Sequence, residues 1–316
     1  QDHVSTSSRS SPIMGEGIFG QVTECLSKEM EQIVAVKNVK ITKNSDYVLN
    51  KELSMLRSIN SLDLDKNNIA AGEHYMEFEM LDQRMLNLLE KRKKAPFSLS
   101  EIRPMAQQLF VALDGLRRLG VMHTNILPDN IMFVDHEKKP FKLIDFGVAV
   151  LKQNVKIGSR IEPSVYLAPE VTLTLPLTKA VDIWSLGCCL LEWYLWGHSS
   201  TGAASDLKDA VLNYYEIQSG LEYEERKAFL DLVQKMLDLN PNKRISPDEA
   251  LQHFIITMSH SNTSKSQIST PSMSTSSTGR PVILKADDLS SGSPLITLPM
   301  WPLKRRAQEE KSKSTQ

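Results

Sequence analysis

Cysteine, net charge and long apolar runs are all scarce in this chain of 316 residues. Its three cysteines, Cys25, Cys188 and Cys189, are an odd number, and the adjacent pair has no metal-ligand spacing. A disulfide framework and a structural zinc site are therefore not expected, and the sparse usage points inside the cell. No stretch of about 18 apolar residues is present to span a membrane. The first twenty residues are polar rather than basic-then-apolar, unlike a signal peptide. Lys plus Arg number 37 against 38 Asp plus Glu, a formal charge of -1, which excludes nucleic-acid binding through bulk positive charge. Neither direct nucleic-acid contact nor a membrane partner is expected. No G-x-x-x-x-G-K-[ST] string occurs, so a P-loop is excluded.

What is present reads as a globular body with a different end. Apolar residues make up 41% and charged residues 24%, values of a folded chain rather than a fibrous or wholly disordered one. Ser259 to Thr278 carries thirteen Ser or Thr among twenty residues, too little apolar surface to offset its ordering entropy. Residues 259–316 are expected to be disordered, as are residues 1–12. The tail holds eight Lys plus Arg against four Asp plus Glu, so the body, with 29 against 34, is acidic and the tail basic.

Within the body, Gln21 to Leu26 and Ile33 to Val39 read as a hairpin of strands around the polar turn Ser27 to Gln32. Asp46 to Ile59 places Val48, Leu49, Leu53, Leu56 and Ile59 near the period of a one-sided helix. Tyr75 to Met80 is a short strand. Ile102, Met105, Leu109, Leu113 and Leu116 form a stripe on a helix from Ser98 to Leu119, with Ser100 as expected N-cap and Gly120 as stop. Beyond about residue 180 the pattern is helical. A small β-rich part followed by a larger helical part is an α+β arrangement of two lobes.

Gly15-Glu16-Gly17-Ile18-Phe19-Gly20 leads into a strand. Glycines there let the backbone approach phosphates closely, though a hairpin without ligand gives the same string. No helix follows it, which argues against a dinucleotide fold. Val34-Ala35-Val36-Lys37 ends in a lysine on an apolar strand, and the next helix supplies Glu52. A buried lysine needs such a partner. A solvated lysine and an exposed helical glutamate would give the same residues.

Asp145-Phe146-Gly147, Ala168-Pro169-Glu170 and Asp182-Ile183-Trp184-Ser185-Leu186-Gly187 follow in order. With the glycine loop and Val34-Ala35-Val36-Lys37, they make the sequence resemble the eukaryotic protein kinase family over residues 13 to 258. Phe78-Glu79-Met80-Leu81, Ile102-Arg103-Pro104, Gln107-Gln108, Asn130-Ile131-Met132 and Lys243-Arg244-Ile245 are similar to the homeodomain-interacting protein kinases, nuclear dual-specificity relatives of the proline-directed group.

The resemblance implies an N-lobe over 13–78, a hinge over 79–81 and a C-lobe over 82–258, with ATP and Mg²⁺ as cofactors. Gly15, Gly17 and Gly20 would cover the phosphates, and Lys37 held by Glu52 would bind them. Val22, Ala35 and Met132 would sandwich the base. Phe78 would be the gatekeeper, and Glu79 to Leu81 would hydrogen-bond adenine. Asn130 and Asp145 would hold Mg²⁺. Arg244 would pair with Glu170, and Asp182 would anchor the catalytic-loop backbone. His123 reads as a packed structural histidine. A nuclear rather than cytoplasmic setting and contacts with transcription regulators are implied in the same way.

The catalytic loop departs from the family's H-x-D-L-K-P-E-N. It reads His123-Thr124-Asn125-Ile126-Leu127-Pro128-Asp129-Asn130. Asn125 stands at the aspartate that accepts the substrate hydroxyl proton, and an amide does not take that proton at neutral pH. Leu127 stands at the lysine that offsets charge on the transferring phosphoryl group. Asp129 is expected to face away. Aligned backwards from Glu170, Arg160 stands at an autophosphorylated tyrosine and Leu167 at an arginine of the proline-directed group. Around Gly72 to Met80 the strand pair is shorter than in the family, and an insert is missing between Gly197 and Glu224.

The expectation is a kinase-fold protein that binds ATP with phosphotransfer weak or lost, acting through protein contacts. An active Ser/Thr kinase and a scaffold that binds no nucleotide are the alternatives. In the tail, Pro281-Val282-Ile283-Leu284 with Asp287-Asp288 resembles a segment that adds a strand to a small ubiquitin-like modifier; a chance apolar patch is the favoured reading. Lys304-Arg305-Arg306 is a short basic run, and Lys91 to Lys94 read as a solvated helix end.

Overall fold

The structure is a computed structural model that describes residues 4–5, 13–16, 20–27, 31–40, 45–60, 75–93, 95–134, 141–155, 165–196, 207–212 and 219–258. Gly17, Arg160, the rest of residues 158–164 and the tail, with its segments 281–284 and 304–306, lie outside the described residues.

The N-terminal part is an antiparallel sheet of β1 (Val4–Ser5), β2 (Ile13–Glu16), β3 (Gly20–Ser27), β4 (Gln32–Val39) and β5 (Tyr75–Glu79). Its order is β1-β3-β4-β5, with β2 also paired to β3. β3 and β4 are the hairpin anticipated from their β-branched residues, in a register that sets Val22 opposite Lys37 and Glu24 opposite Ala35. Strand alternation then puts Val22, Ala35 and Lys37 on one face, while Cys25, Val34 and Val36 form a small cluster on the other. Gly20 is required sterically, since a Cβ there would lie 2.1 Å from the Asn38 carbonyl oxygen. β1 lies in a stretch from which no structure is expected. It pairs where β3 runs past β2, Val4 opposite Ser27 and Ser5 opposite Leu26, so backbone groups at the sheet edge take it up.

Helix α1 (Ser45–Asn60) lies between β4 and β5 in the chain and buries Leu49, Leu53, Leu56 and Ile59, residues of the stripe its sequence predicts. Each such side chain contributes about 1.5–3 kcal/mol by leaving water.

The C-terminal part contains α2 (Met85–Lys91), α3 (Leu99–Leu119), β6 (Val121–Met122), β7 (Ile131–Phe133), β8 (Phe141–Leu143), β9 (Val150–Leu151) and α4 (Pro169–Thr172). It continues through α5 (Val181–Tyr194), α6 (Leu207–Leu212), α7 (Gly220–Met236), α8 (Pro247–Leu251) and α9 (Phe254–Thr257). The N-cap of α3 is Ser98, not Ser100. Its hydroxyl accepts from the Glu101 N–H and the Glu101 carboxylate accepts from the Ser98 N–H. Ser100 has no glutamate three residues on to complete that exchange, and this is the physical reason the helix starts earlier. Gly120 ends the helix in the left-handed region at φ 75, as its residue type foretells.

Helix α5 is buried on nearly every side, through Ile183, Leu186, Cys189, Leu190 and Trp193, as expected of a helix at the centre of a lobe. Gly187 lets α7 approach, since a Cβ there would sit 3.0 Å from Met236 Cβ. The pairs β6–β9 and β7–β8 are short antiparallel ladders that carry the functional loops. One apolar cluster runs from Val22 and Leu56 through Leu109 to Phe229, joining both parts. The link between them is tied down by Asp82 N–H donating to Phe133 O at 3.0 Å and Phe133 N–H donating to Gln83 O at 2.8 Å. Among the described residues, no helix is long and apolar enough to cross a membrane.

Candidate functional site

Lys37 and Glu52 meet because β4 points the lysine inward and α1 turns the glutamate toward it. Nζ lies 2.8 Å from Oε2, and the two residues are 2% and 1% exposed. The plain alternative of two solvated residues is thereby removed. Glu52 Oε1 is buried without a hydrogen-bond partner. Burial raises the Glu52 carboxyl above its ordinary range, with Lys37 opposing and Asp145 adding to the rise. Asp145 is pushed the same way by burial, opposed by Lys37 and by the Gly147 N–H. The Glu52 and Asp145 carboxylates and the Lys37 ammonium thus share a small buried space at the interface of the two parts, with Lys51 also acting on Glu52. Gly147 keeps it small: a Cβ there would lie 3.3 Å from Asp145 Oδ1 and 3.5 Å from Glu52 Oε2.

The loop from His123 to Asn130 is held from below by Asp182 at the start of α5. Its Oδ2 accepts from the His123 N–H and its Oδ1 from the Thr124 N–H, both at 2.8 Å. Burial raises the Asp182 carboxyl to about 6 despite these donors. His123 is fully buried, with Nε2 3.0 Å from the Ile144 carbonyl and Nδ1 accepting from the Asn125 N–H at 3.3 Å. One nitrogen faces an acceptor and the other a donor, so the ring is the neutral Nε2–H tautomer. Burial lowers its pKa to about 4. The ring also meets Phe146 edge-on at 4.6 Å between centroids. No proton-transfer role is available to a histidine so committed.

Asn125 and Leu127 are both buried, at 7% and 6% exposure. The Asn125 carbonyl accepts from Asn130 Nδ2 at 2.9 Å, which leaves Asn130 Oδ1 buried without a partner. Asp129 turns away from Asn125 to Arg84, 2.6 Å from its Nη1.

Around this center, Val22, Ala35 and Phe78 are buried in the main core, with Ala35 opposite Phe78 in the sheet. Leu81 and Met132 pack with Ile144 in a separate cluster on the C-terminal side. The Glu79 side chain pairs with Lys142 on β8, bridging the two parts. That bridge, the Arg84–Asp129 pair and the contacts of Lys51 and Thr124 with the turn after Asp145 are absent from the sequence reading. No local pattern announces them, because the partners are 24 to 96 residues apart.

Further down, Arg244 donates to Glu170 through both terminal guanidinium nitrogens, at 2.6 and 3.0 Å. It also donates to the carbonyls of Ala180 and Asp238 and lies 5.0 Å from the Trp184 ring center. Tyr166 donates to Glu192 at 2.7 Å. Val165, at the edge of the described residues, is 90% exposed.

A magnesium nucleotide asks for hard oxygen donors for the ion and a cation for the phosphates. Asn130 Oδ1 is an unsatisfied buried acceptor, an arrangement that costs about 1–3 kcal/mol where nothing fills it. Asp145 supplies a carboxylate and Lys37 the ammonium. These residues fit the group.

A β-rich part joined to a helical part, with a buried lysine–glutamate pair above a D-F-G turn, defines the protein kinase fold. The protein kinase domain family matches residues 9–256, and the chain belongs to that family. Among its relatives, Homeodomain-interacting protein kinase 1 of Mus musculus is 28% identical over 328 residues, covering 78% of this chain and 27% of that protein. The protein of that name from Caenorhabditis elegans is 29% identical, covering 79% of this chain and 40% of its own length. Homeodomain-interacting protein kinase 4 of Mus musculus is 33% identical over 195 residues, 58% of this chain and 32% of that protein. This chain therefore spans well under half of the curated relatives it matches. A crystal structure of a kinase domain superposes with a TM-score of 0.62 over 77% of this chain and 93% of the other, at 22% identity, a likeness of fold.

Proposed function

We propose that this chain binds Mg²⁺·ATP while its transfer of phosphate to protein Ser or Thr is weak or lost, and that it acts through protein contacts. One observation carries the reading. The Asn125 amide and the Leu127 side chain occupy the catalytic loop, beside an assembled Lys37–Glu52 pair, Asn130 and Asp145. The bound ion would supply positive charge against that of the phosphates. Lys37 would draw the nucleotide phosphates to the sheet, Glu52 would hold Lys37 in place, and Asn130 and Asp145 would carry the ion. Val22, Ala35 and Met132 would enclose the base, with Phe78 behind it and Glu79 to Leu81 along its edge. Gly15, Gly17 and Gly20 would lie over the phosphates.

What is missing is a proton acceptor for the substrate hydroxyl. Asn125 can orient that hydroxyl and cannot take its proton. Leu127 offers no charge to the group in flight. Each deficit is worth about 10² to 10³ in rate, and together about 10⁴. The Asp129 carboxylate is no substitute while it pairs with Arg84. A regulatory role in signalling or transcription, a nuclear setting and partners among transcription regulators come from likeness to the relatives. A contact between Val282–Leu284 and a small ubiquitin-like modifier rests on residue chemistry alone.

The test is a thermal-shift titration with Mg²⁺·ATP beside a phosphate-transfer assay of the native chain. A nucleotide-dependent shift with negligible transfer is expected. No shift at millimolar nucleotide would favour a scaffold that binds none, and robust transfer lost with Lys37→Ala would make the chain an active Ser/Thr kinase.

A further inference from the structure

The turn that carries Asp145 is closed by Gly147 and Val148, and the carbonyl of each is held by a side chain from a different direction. Lys51 Nζ, from α1, donates to Gly147 O at 3.4 Å. Thr124 Oγ1, from the catalytic loop, donates to Val148 O at 3.2 Å. Lys51 adjoins Glu52, so the same stretch of α1 that sets Glu52 against Lys37 also grips this turn.

The backbone needs such support. Asp145 sits in the left-handed region at φ 64, and Thr124, a β-branched residue, at φ 62. Conformations of this kind persist only where the surroundings over-determine them. Asp182 supplies part of the constraint on Thr124 through its N–H, and the hydroxyl supplies the rest.

We propose that Lys51 and Thr124 are positioning residues forming a two-sided clamp on the Asp145 turn, which holds Asp145 where Mg²⁺·ATP binding needs it. This rests on the nucleotide-binding reading above. Lys51 ties α1 to the turn, and Thr124 ties the catalytic loop to it. Both contacts are made by side chains, so both can be removed without changing any residue that meets the nucleotide.

The test compares the full chain with Lys51→Met and Thr124→Val, and with the conservative Lys51→Arg and Thr124→Ser. Each is titrated with Mg²⁺·ATP, and hydrogen exchange at residues 146–149 is followed without nucleotide. Loss of a charge-assisted or buried hydrogen bond predicts binding about tenfold weaker in the Met and Val variants, with faster exchange at the turn. Arg and Ser should restore both. The clamp is overturned if the Met and Val variants bind and exchange as the native chain does. It is equally overturned if Arg and Ser lose as much. Should the native chain bind no nucleotide, the nucleotide reading fails separately, and exchange decides the clamp: faster in the Met and Val variants supports it, unchanged refutes it.

Discussion

Replacing Lys37 by Met should expose how much of the fold rests on one buried pair. The lysine is 2% exposed and its partner Glu52 is 1% exposed, with one carboxylate oxygen already lacking a hydrogen bond. Removing the ammonium leaves a buried carboxylate on which the Asp145 carboxylate acts more strongly than the opposing Lys51 ammonium. Breaking a buried pair from one side costs about 3–5 kcal/mol. The carboxyl of Glu52 is already raised by burial against the opposition of Lys37, so losing Lys37 raises it further. A carboxyl raised in the folded state binds its proton there before it does in the unfolded chain. Stability is therefore highest below the unfolded value of 4.5 and falls as pH climbs toward the folded one. Urea unfolding of Lys37→Met should show the full deficit at pH 7.5 and a smaller one at pH 5, while adding Glu52→Gln should recover much of it. A deficit below about 1 kcal/mol, or one that ignores pH, would mean that α1 swings Glu52 into water, and the reasoning would fail.

Three further outcomes follow from the same geometry. His123, lowered from 6.5 to about 4 by burial, takes up a proton in the unfolded chain first, so its contribution is complete above pH 6.5 and is lost as pH falls, by about 3 kcal/mol in all. Asp182, raised from 3.8 to about 6, acts in the opposite sense over much of that window, so the check is nitrogen NMR of the ring, which should stay the Nε2–H tautomer down to about pH 5. Arg244→Leu strands Glu170, which is 1% exposed, and should cost about 3–5 kcal/mol in urea unfolding; a loss smaller than that of an exposed pair would contradict the assignment.

Much of the fold was legible because its signals are local. The burial of Leu49, Leu53, Leu56 and Ile59 follows from spacing alone, and Gly120 stops α3 for reasons of its own backbone. The misplaced cap was legible too: Ser98-Leu99-Ser100-Glu101 contains the serine–glutamate spacing of a capping box, and the exchange begins at Ser98. At the site, Lys37, Asn130 and Asp145 announce themselves in strings of three to eight residues, and Glu52 as a glutamate on the helix that follows Lys37. Glu79–Lys142, Arg84–Asp129 and the grip of Lys51 and Thr124 on the Asp145 turn do not. Each depends on where the chain returns after long excursions, which hydrophobic periodicity does not encode. β1 was illegible for another reason, since edge pairing draws on backbone groups that every sequence possesses.

The central claim is that nucleotide binding survives in this chain while phosphate transfer does not. Its most direct measurement is single-turnover phosphate transfer to a protein substrate, at saturating Mg²⁺·ATP, by the native chain and by Asn125→Asp/Leu127→Lys. From kinase rates of about 1–100 per second and a deficit of about 10⁴, the native chain should turn over no faster than about 10⁻² per second, and the double substitution should raise that at least about a hundredfold. Native transfer at about one per second or faster, abolished by Lys37→Ala, would contradict it.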